Sequence, residues 1–283
     1  MSTEQPWTIG RLLTWTTDFL KSKGAAEARL DALLLAHVLG CDKIALYTRL
    51  QRGADRTAAR PAAAVQRRAK GCPVAYLLGE REFFSLTFEV TPDVLIPRGD
   101  TGVLVNECLD AIKPLPQPRV LDVGTGSGCV AVAVAKQDKR ARVTATDVSP
   151  KALAVARRNA DRHKVEVRFL EGDLFAAVPP GERFDVIVSN PPYIRRDVLS
   201  TLAAEVRDHE PRLALDGGDD GFAVIDRLVA GTGSHLAPNG WLIFEIGHDQ
   251  EAEALARLGR AGWAARATHD AAGHPRVMRA RRA

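Results

Sequence analysis

Cysteine is scarce in this chain, and the few cysteines follow no pattern. Cys41, Cys72, Cys108 and Cys129 are scattered along 283 residues, with no Cys-x-x-Cys pair among them. This spacing argues against a disulfide framework or a zinc site and favours a reducing, cytoplasmic environment. The seven histidines show no His-Glu-x-x-His spacing either. We therefore expect a cytoplasmic protein without a metal site.

Long apolar runs and a strong charge bias are also missing. No run of about 18 apolar residues occurs, so no segment is predicted to span a membrane. The opening residues MSTEQPWTIGRLL lack the charged and apolar regions of a signal peptide. Lysine and arginine number 39 against 35 acidic residues, and aromatic residues make up 6% of the chain. This small surplus permits contact with RNA but does not require it.

The first 70 residues or so have the pattern of a small helical bundle. Thr8 can cap a first amphipathic helix with Gly24 beyond its end, and the second helical segment is ARLDALLLAHVLG. A short third segment, KIALYTRL, precedes a fourth, in which Pro61 suits the first turn and Gly71 the exit. After it, EFFSLTFEVTPDVLIP is rich in aromatic and β-branched residues, which predicts a pair of strands.

From about residue 118 the pattern alternates between strands and helices. Helical segments separate the strand-like ones, and one of them, SPKALAVARRNADRH, can be capped by Ser149. Such alternation implies parallel strands joined by helical crossovers, which is an α/β fold with helices flanking a mostly parallel, twisted sheet. The predicted strands are RVLDV, RVTATD, VEVRFLEGD, FDVIVSN and WLIFEIG.

A glycine-rich loop follows the first of these strands. Gly124, Gly126 and Gly128 alternate with Thr125 and Ser127 ahead of a helix. Glycines let the backbone approach a ligand without an intervening Cβ, and a helix start offers free N–H groups to an anion. The dinucleotide fingerprint would need a glycine one position further on, where a cysteine stands. The loop instead resembles the first motif of class I S-adenosylmethionine methyltransferases.

Two acidic residues follow the next two strands. In this family pattern Asp147, at the end of the second strand, is placed to accept both ribose hydroxyls. Asp173 follows the third strand and is placed to accept from the adenine amino group, with Leu174 against the ring. A plain strand-to-helix turn is the alternative interpretation of the glycine loop, and these two carboxylates favour the ligand site.

The fourth strand ends in Asn190-Pro191-Pro192-Tyr193, an unusual ending for a buried strand. Proline has no N–H and a fixed φ, and it holds the residue before it in an extended conformation. The Asn190 side-chain oxygen and the Pro191 carbonyl can therefore accept the two hydrogens of a planar NH2 group. Tyr193 can stack on that group and fix its tilt. The alternative is that these residues only terminate the strand.

This ending is shared by methyltransferases that act on planar amino nitrogens, and the whole chain is similar to one branch of them. That branch is the release-factor glutamine methyltransferase family, often called HemK or PrmC. The resemblance is carried by ARLDALLLAHVLG, PVAYLLGEREFFSLTFEVTPDVLIPR, LDVGTGSGCVA, SNPPYI, HEPRLALDGGDDGF and EIGHDQ. It implies a helical substrate-docking domain over residues 1–71, a β-hairpin linker over 72–97 and a Rossmann-like class I methyltransferase domain over 98–283.

The resemblance also implies a reaction. A methyl group passes from S-adenosylmethionine, which leaves as S-adenosylhomocysteine, to the glutamine side-chain nitrogen in the Gly-Gly-Gln motif of class 1 peptide release factors, which tunes translation termination. We expect a monomer that binds neither membrane nor nucleic acid directly. The implied catalytic residues are Asn190, Pro191, Pro192 and Tyr193, and the implied cofactor contacts are Gly124, Thr125, Gly126, Ser127, Gly128, Asp147, Asp173, Leu174 and Asn190.

One stretch departs from the family pattern. Where the family usually has Pro-Glu-Thr-Glu, this chain has Gly99-Asp100-Thr101-Gly102. Asp100 keeps one carboxylate on a shorter stem and Gly102 lacks the other. If those acids help to hold the cofactor or its lid, affinity or rate would be reduced here. We expect the charges of Glu205, Glu210 and Asp220, further along the chain, to be solvated.

Three other functions remain open at this stage. Glutamine methylation of a ribosomal protein uses the same chemistry on another target. Methylation of an adenine or guanine amino group is a second alternative, against which the small net charge and the few aromatic residues argue. The third is a non-catalytic cofactor-binding protein, which the departure at residues 99–102 would suit.

Overall fold

The computed structural model describes residues 8–22, 34, 36–37, 39–40, 43–48 and 59–283. They fall into two compact units. One comprises the described residues up to Gly79 together with Ala203–His209, and the other comprises Glu80–Leu202 and Glu210–Ala283. Among all the described residues, no helix is long and apolar enough to cross a bilayer.

The first unit is helical. Its first helix is capped as predicted, because Thr8 Oγ1 accepts from the backbone N–H of Arg11 at 3.2 Å. Helix Ala59–Ala69 carries Arg68, whose buried guanidinium pairs with Glu205. Most of the predicted second helix, the end of the third and Gly24 lie outside the described residues. The helices of this unit are Ile9–Ser22, Lys43–Thr48, Ala59–Ala69, Val74–Leu78 and Ala204–Arg207.

The second unit begins with the predicted strand pair. Strands β1 (Glu80–Phe83) and β2 (Leu86–Glu89) are antiparallel and end earlier than the aromatic segment suggested. Phe83 and Phe88 are buried, and their ring centroids lie 6.1 Å apart. Both rings belong to one of the two large apolar clusters of this unit, and the Phe88 ring lies 5.2 Å from that of His163, so the hairpin shares the core of the unit.

The large sheet has seven strands in the order β5-β4-β3-β6-β7-β9-β8. The five predicted strands are present and pair in parallel, and two antiparallel strands, which the sequence analysis missed, complete the edge. The strands are β3 (Arg119–Val123), β4 (Arg142–Asp147), β5 (Val167–Glu171), β6 (Phe184–Ser189), β7 (Leu236–Glu245), β8 (Trp263–His269) and β9 (Pro275–Arg282).

Helices cover both faces of this sheet, which explains why its central strands are nearly all apolar. In β3, for example, Val120 joins one apolar cluster and Leu121 the opposite one. Ser149 caps its helix as predicted, since its Oγ accepts from the N–H of Ala152 at 3.2 Å. The covering helices are Gly102–Ile112, Cys129–Gln137, Pro150–His163, Ala223–His235 and Glu251–Arg260, with 3-10 turns at Gly99–Thr101, Leu199–Thr201 and Arg212–Ala214.

The strand order creates a crevice at the carboxyl ends of the central strands. The chain runs outward from β3 through β4 to β5, and then returns to the other side of β3 with β6. Loops that leave β3 and β6 therefore diverge, and ligands of such sheets bind at this switch point, outside the carboxyl ends of the strands.

The buried side chain of Asn159 joins the hairpin to the loop after β3, and a substitution can test how much this contributes to stability. Its Oδ1 accepts from the N–H of Glu89 at 2.7 Å, and its Nδ2 donates to the carbonyls of Glu89 (3.0 Å) and Ser127 (2.9 Å). Asn159→Ala leaves these buried backbone groups unpaired, so we expect a loss of about 2 to 3 kcal/mol in the free energy of unfolding, measured in urea. Asp161→Ala, on the exposed side of the same helix, is the control, and equal stability of both variants would contradict this role.

Candidate functional site

A cavity of about 660 Å³ opens at the carboxyl ends of β3, β4, β5 and β6. Part of its lining lies at or just after the ends of these strands, as the strand order requires, and the rest comes from residues 93–95, 97–98, 101, 196, 211–214, 216, 224 and 227. Gly128 and Tyr193 are the two predicted site residues that do not line it. The structure brings the others together around one space: Gly124, Thr125, Gly126, Ser127, Asp147, Asp173, Leu174, Asn190, Pro191 and Pro192.

The glycine loop is shaped by positive φ angles. Gly124, Gly126 and Gly128 have φ values of 74°, 55° and 79°, which side chains with a Cβ rarely adopt. A Cβ at Gly124 or Gly126 would meet no atom within 4 Å, so a ligand has room beside them. A Cβ at Gly128 would lie 3.0 Å from that of Ala156. Gly128 thus allows two helices to pack closely and does not face the cavity.

Asp122 holds this loop in place from beneath. Its Oδ2 accepts from the hydroxyl of Thr125 at 2.6 Å and from the backbone N–H of Ala131 at 3.2 Å. Burial raises the pKa of Asp122 to about 7, against the effect of these hydrogen bonds. Asp122 belongs to the LDVGTGSGCVA motif, but its role could not be predicted from the sequence alone.

Asp147 links the glycine loop to the end of β4. Its Oδ2 accepts from the N–H of Gly126 at 2.8 Å, and its Oδ1 accepts from that of Ser149 at 2.9 Å. Burial raises the pKa of this carboxyl above its ordinary value. A carboxylate oxygen can accept two hydrogen bonds, so each oxygen has capacity left for a ligand hydroxyl in the cavity.

Asp173 and Leu174 form the next part of the wall. The carbonyl of Leu174 accepts from the hydroxyl of Thr146 at 3.0 Å, which fixes the turn after β5. Asp173 is exposed and pairs with Arg227 at 2.6 Å. A ligand amino group would have to share this carboxylate with the arginine, and the adenine contact stays a prediction.

The residues after β6 divide between the cavity and the core. Asn190 is half-buried, and its Nδ2 donates to the hydroxyl of Thr101 at 3.3 Å. Tyr193 packs against the apolar cluster, and its hydroxyl donates to Oε1 of Glu245 at 3.1 Å. Burial raises the pKa of Glu245 to about 6 and that of Tyr193 well above its ordinary value. Stacking of Tyr193 on a substrate remains a prediction.

The expectation that Glu210 is a solvated charge was wrong. Its carboxylate is buried, accepts from the N–H of Ile96 at 3.3 Å and pairs with Arg98, which lines the cavity. Glu210 therefore holds residues 96–98 in place, directly before residues 99–102, which differ from the family pattern. Asp220 is exposed as expected and pairs with Arg257, while Glu205 is half-buried against its arginine partner.

Residues 99–102 differ from the family pattern, and of these four residues Thr101 lines the cavity. Asp100 is turned to Arg276, at 2.9 Å, and Arg276 also pairs with Asp270 at 2.7 Å. A Cβ at Gly102 would meet an atom of the Phe84 ring at 3.8 Å, an ordinary contact. The substitutions from the family pattern thus leave the side chain that reaches the cavity unchanged.

Among the described residues, no three histidine, cysteine, aspartate or glutamate side chains are grouped so that they could hold a metal ion.

Family models match both parts of the chain. The methyltransferase small domain matches residues 100–261, and the PrmC N-terminal domain matches residues 11–79. Solved structures show the same fold. A methyltransferase from Pyrococcus furiosus gives a TM-score of 0.50 at 22% identity, over 70% of this chain and 88% of that one. The T. thermophilus 16S rRNA N2 G1207 methyltransferase, in complex with AdoMet and guanosine, gives 0.51 at 16% identity, over 72% and 50%. The predicted fold class is confirmed.

Three curated relatives, each a release factor glutamine methyltransferase, are similar to this protein along most of the chain. The Burkholderia pseudomallei protein is 49% identical over 243 residues, or 83% of this chain and 85% of its own. The Geobacter sulfurreducens protein is 45% identical over 267 residues, 92% of each. The Deinococcus radiodurans protein is 39% identical over 277 residues, 96% of this chain and 98% of its own.

The buried Asp122 should make stability depend on pH. Because its folded pKa of about 7 lies above its unfolded value, its stabilising contribution is complete at low pH and is lost as the pH rises through 7. Between pH 5 and pH 8, the ligand-free protein should lose about 2 to 3 kcal/mol of unfolding free energy relative to Asp122→Asn. Urea titrations at both pH values measure this, with Asp161→Asn as control. Parallel pH profiles of wild type and Asp122→Asn would contradict the assignment.

Proposed function

The chain belongs to the release factor glutamine methyltransferase family, and we propose that it methylates the glutamine side-chain nitrogen in the Gly-Gly-Gln motif of class 1 peptide release factors. The proposed methyl donor is S-adenosylmethionine. Relatives that are 39 to 49% identical over most of the chain support this function. The observation that carries it is that Asn190, Pro191 and Pro192 line the same cavity as the glycine loop and Asp147.

The residues of the cavity fit this donor. When bound, S-adenosylmethionine supplies an electrophilic methyl group on a sulfonium. Gly124 and Gly126 leave open space where a Cβ would stand, so a ligand can lie against the loop backbone. Asp147 has free acceptor capacity for the two ribose hydroxyls, and Leu174 lends an apolar surface to the wall. We assign the donor to Gly124–Ser127, Asp147, Asp173 and Leu174, with Gly128 shaping the loop.

The residues after β6 fit a planar NH2 group. Neither Pro191 nor Pro192 has an N–H, so the Pro191 carbonyl meets no donor from its own residue or the next. Asn190 Oδ1 and this carbonyl accept the two amide hydrogens, which favours a pyramidal nitrogen with a free lone pair. In the transfer the nitrogen would gain the methyl group as the sulfur–methyl bond breaks and S-adenosylhomocysteine leaves, and the nitrogen would lose one proton to water. Tyr193 completes the site, either by stacking on the substrate amide or by fixing the segment after β6 through its hydrogen bond to Glu245.

The charges at the cavity favour a protein substrate over a nucleic acid. Free cations would be needed there to bind a phosphate backbone. The arginines that line the cavity are instead each paired with a carboxylate, in the pairs Arg98–Glu210, Arg196–Asp216, Arg212–Asp216 and Arg227–Asp173.

We assign docking of the release factor to the N-terminal domain, residues 1–71, with 72–97 as linker and 98–283 as the catalytic domain. The large apolar side chains of Trp15, Ile44 and Tyr47 are exposed on the helical unit and suit a protein partner. We further propose that the protein acts as a monomer in the cytoplasm, where translation terminates.

Asn190→Ala should abolish methyl transfer and spare donor binding. The variant loses one of the two acceptors that orient the substrate nitrogen, so kcat should fall at least about a hundredfold. The donor Kd should stay within about tenfold, or 1.4 kcal/mol. The assay follows label from methyl-labelled donor into a purified class 1 release factor, with Asn106→Ala on an exposed helix face as control.

The same assay separates the other functions. A release factor whose motif is changed to Gly-Gly-Ala should take no label, and neither should ribosomal proteins or ribosomal RNA. Label in nucleic acid or ribosomal protein alone would overturn the proposed substrate. Donor binding without any transfer would support a non-catalytic protein.

Asp147→Ala should weaken donor binding specifically. Two charge-assisted hydrogen bonds to ribose are lost, so the Kd from calorimetry should rise at least about tenfold. Asp138→Ala is the control, because Asp138 follows helix Cys129–Gln137 and pairs with Arg140 away from the cavity. An unchanged Kd in Asp147→Ala would contradict the assignment.

A further inference from the structure

The segment after β6 has to be held at its two ends. At the front end Ser189 closes β6, and its hydroxyl donates to the carbonyl of Val123 at 2.7 Å. Pro191 and Pro192 follow, and neither has an N–H with which to join a ladder. The position of the Pro191 carbonyl therefore depends on how the far end of the segment, at Tyr193, is held.

The side chain of Gln250 holds this far end. It is 7% exposed, and its Nε2 donates to the carbonyls of Tyr193 at 3.1 Å and of Gly221 at 3.4 Å. Its Oε1 accepts from the N–H of Gly247 at 2.8 Å. Carbonyls only accept and an amide N–H only donates, so the three partners fix which end of the carboxamide faces which. One buried side chain thus joins the segment after β6 to two other loops.

Residues 217–221 approach the same carbonyl from another side. A Cβ at Gly221 would lie 2.5 Å from the Tyr193 oxygen and 2.6 Å from Gln250 Nε2. A Cβ at Gly217 would lie 2.8 Å from the carbonyl carbon of Tyr193. A side chain does not fit at such distances, so this close approach requires glycine at both positions.

Backbone hydrogen bonds continue the contact one residue further. The N–H of Ile194 donates to the carbonyl of Leu215 at 3.1 Å, and the N–H of Gly217 donates to that of Ile194 at 2.8 Å. The stretches HEPRLALDGGDDGF and EIGHDQ, which have no role in the proposed transfer step, therefore meet at the end of the segment that carries Asn190 and Pro191.

We propose that Gln250 is a positioning residue, which sets the place of the Pro191 carbonyl through its hydrogen bond to the carbonyl of Tyr193. This inference rests on the proposed function, in which Asn190 and the Pro191 carbonyl accept the two amide hydrogens of the substrate. A misplacement of about 1 Å near reacting groups can lower a rate about a hundredfold. Gln250 does not line the cavity, so it acts only through the segment that it holds.

The bond between Gln250 and Gly247 gives the same side chain a structural role, which an experiment has to separate from positioning. This bond fixes the turn before helix Glu251–Arg260. An ionised glutamate has the same shape and can still accept from the N–H of Gly247, but it has no hydrogen to donate to Tyr193. Gln250→Glu therefore keeps the structural bond and removes the positioning one.

The kinetic test compares Gln250→Glu with Gln250→Met at pH 8, in the labelling assay with a class 1 release factor. Methionine is unbranched and similar in length, and it can replace neither hydrogen bond. Both variants should lower kcat at least about tenfold, while the KM for the release factor and the donor Kd change less than about threefold. Wild-type kcat in Gln250→Glu would overturn the proposal, because the bond to Gly247 would then suffice.

Gly221→Ala tests the same carbonyl without changing Gln250. Gly181→Ala is the matched control, since φ is 81° at Gly221 and 82° at Gly181, and neither glycine lines the cavity. A Cβ at Gly181 would meet no atom within 4 Å. Both alanines carry the same backbone strain, but Gly221→Ala also displaces the carbonyl of Tyr193, so it alone should lower kcat at least about tenfold. Equal kcat in the two variants would contradict the proposal.

A further measurement needs no substrate. The amide protons of Ile194 and Gly217 report whether the segment is held, and their exchange with solvent can be followed by NMR. Exchange should be at least about fivefold faster in Gln250→Met than in the wild type, and unchanged in Gly181→Ala. Unchanged exchange in Gln250→Met would overturn the role of Gln250. A wild type that methylates no release factor would overturn the proposed function instead, and the exchange rates would still decide whether Gln250 holds the segment.

Discussion

The cavity keeps its shape because carboxylates are buried at the ends of strands and accept hydrogen bonds from the loops beside them. Asp122 binds the glycine loop from below, and Asp147 binds the same loop from the neighbouring strand. Glu245, at the end of β7, takes this role for the segment after β6. Each carboxylate is deprived of water, so each holds its partners more strongly than a surface carboxylate would. The loops are thereby ordered before a ligand arrives, which reduces the entropy lost on binding.

Local sequence patterns predicted the centre of the fold and missed one edge. The five parallel strands are apolar runs between helices, and the pattern alone reveals them. Strands β8 and β9 carry arginines, which argue against burial when read locally. Arg279 is nevertheless accommodated, because it lies over the ring of Trp241 and pairs with Glu107, far away in the sequence. Pairing with β7 makes these segments strands, and no short window contains that information.

In the candidate site, too, local patterns predicted some features and missed others. The glycine loop and Asn190 were predictable, because each directly follows a strand and strands of one direction end together. The partners of these residues were not. Thr101 meets Asn190 across 89 positions, and Tyr193 meets Glu245 across 52. Glu210 was assigned to solvent for the same reason, since its partners Ile96 and Arg98 lie more than a hundred positions earlier.

Asn159 gives the hairpin and the glycine loop a common dependence on one side chain. A ligand that stabilises the glycine loop in the conformation described here also favours the hydrogen bonds between Asn159 and Glu89, because the same carboxamide binds both segments. The amide proton of Glu89 is therefore expected to exchange with solvent more slowly once a ligand fills the cavity. The hairpin would thus report occupancy of a cavity that it does not line.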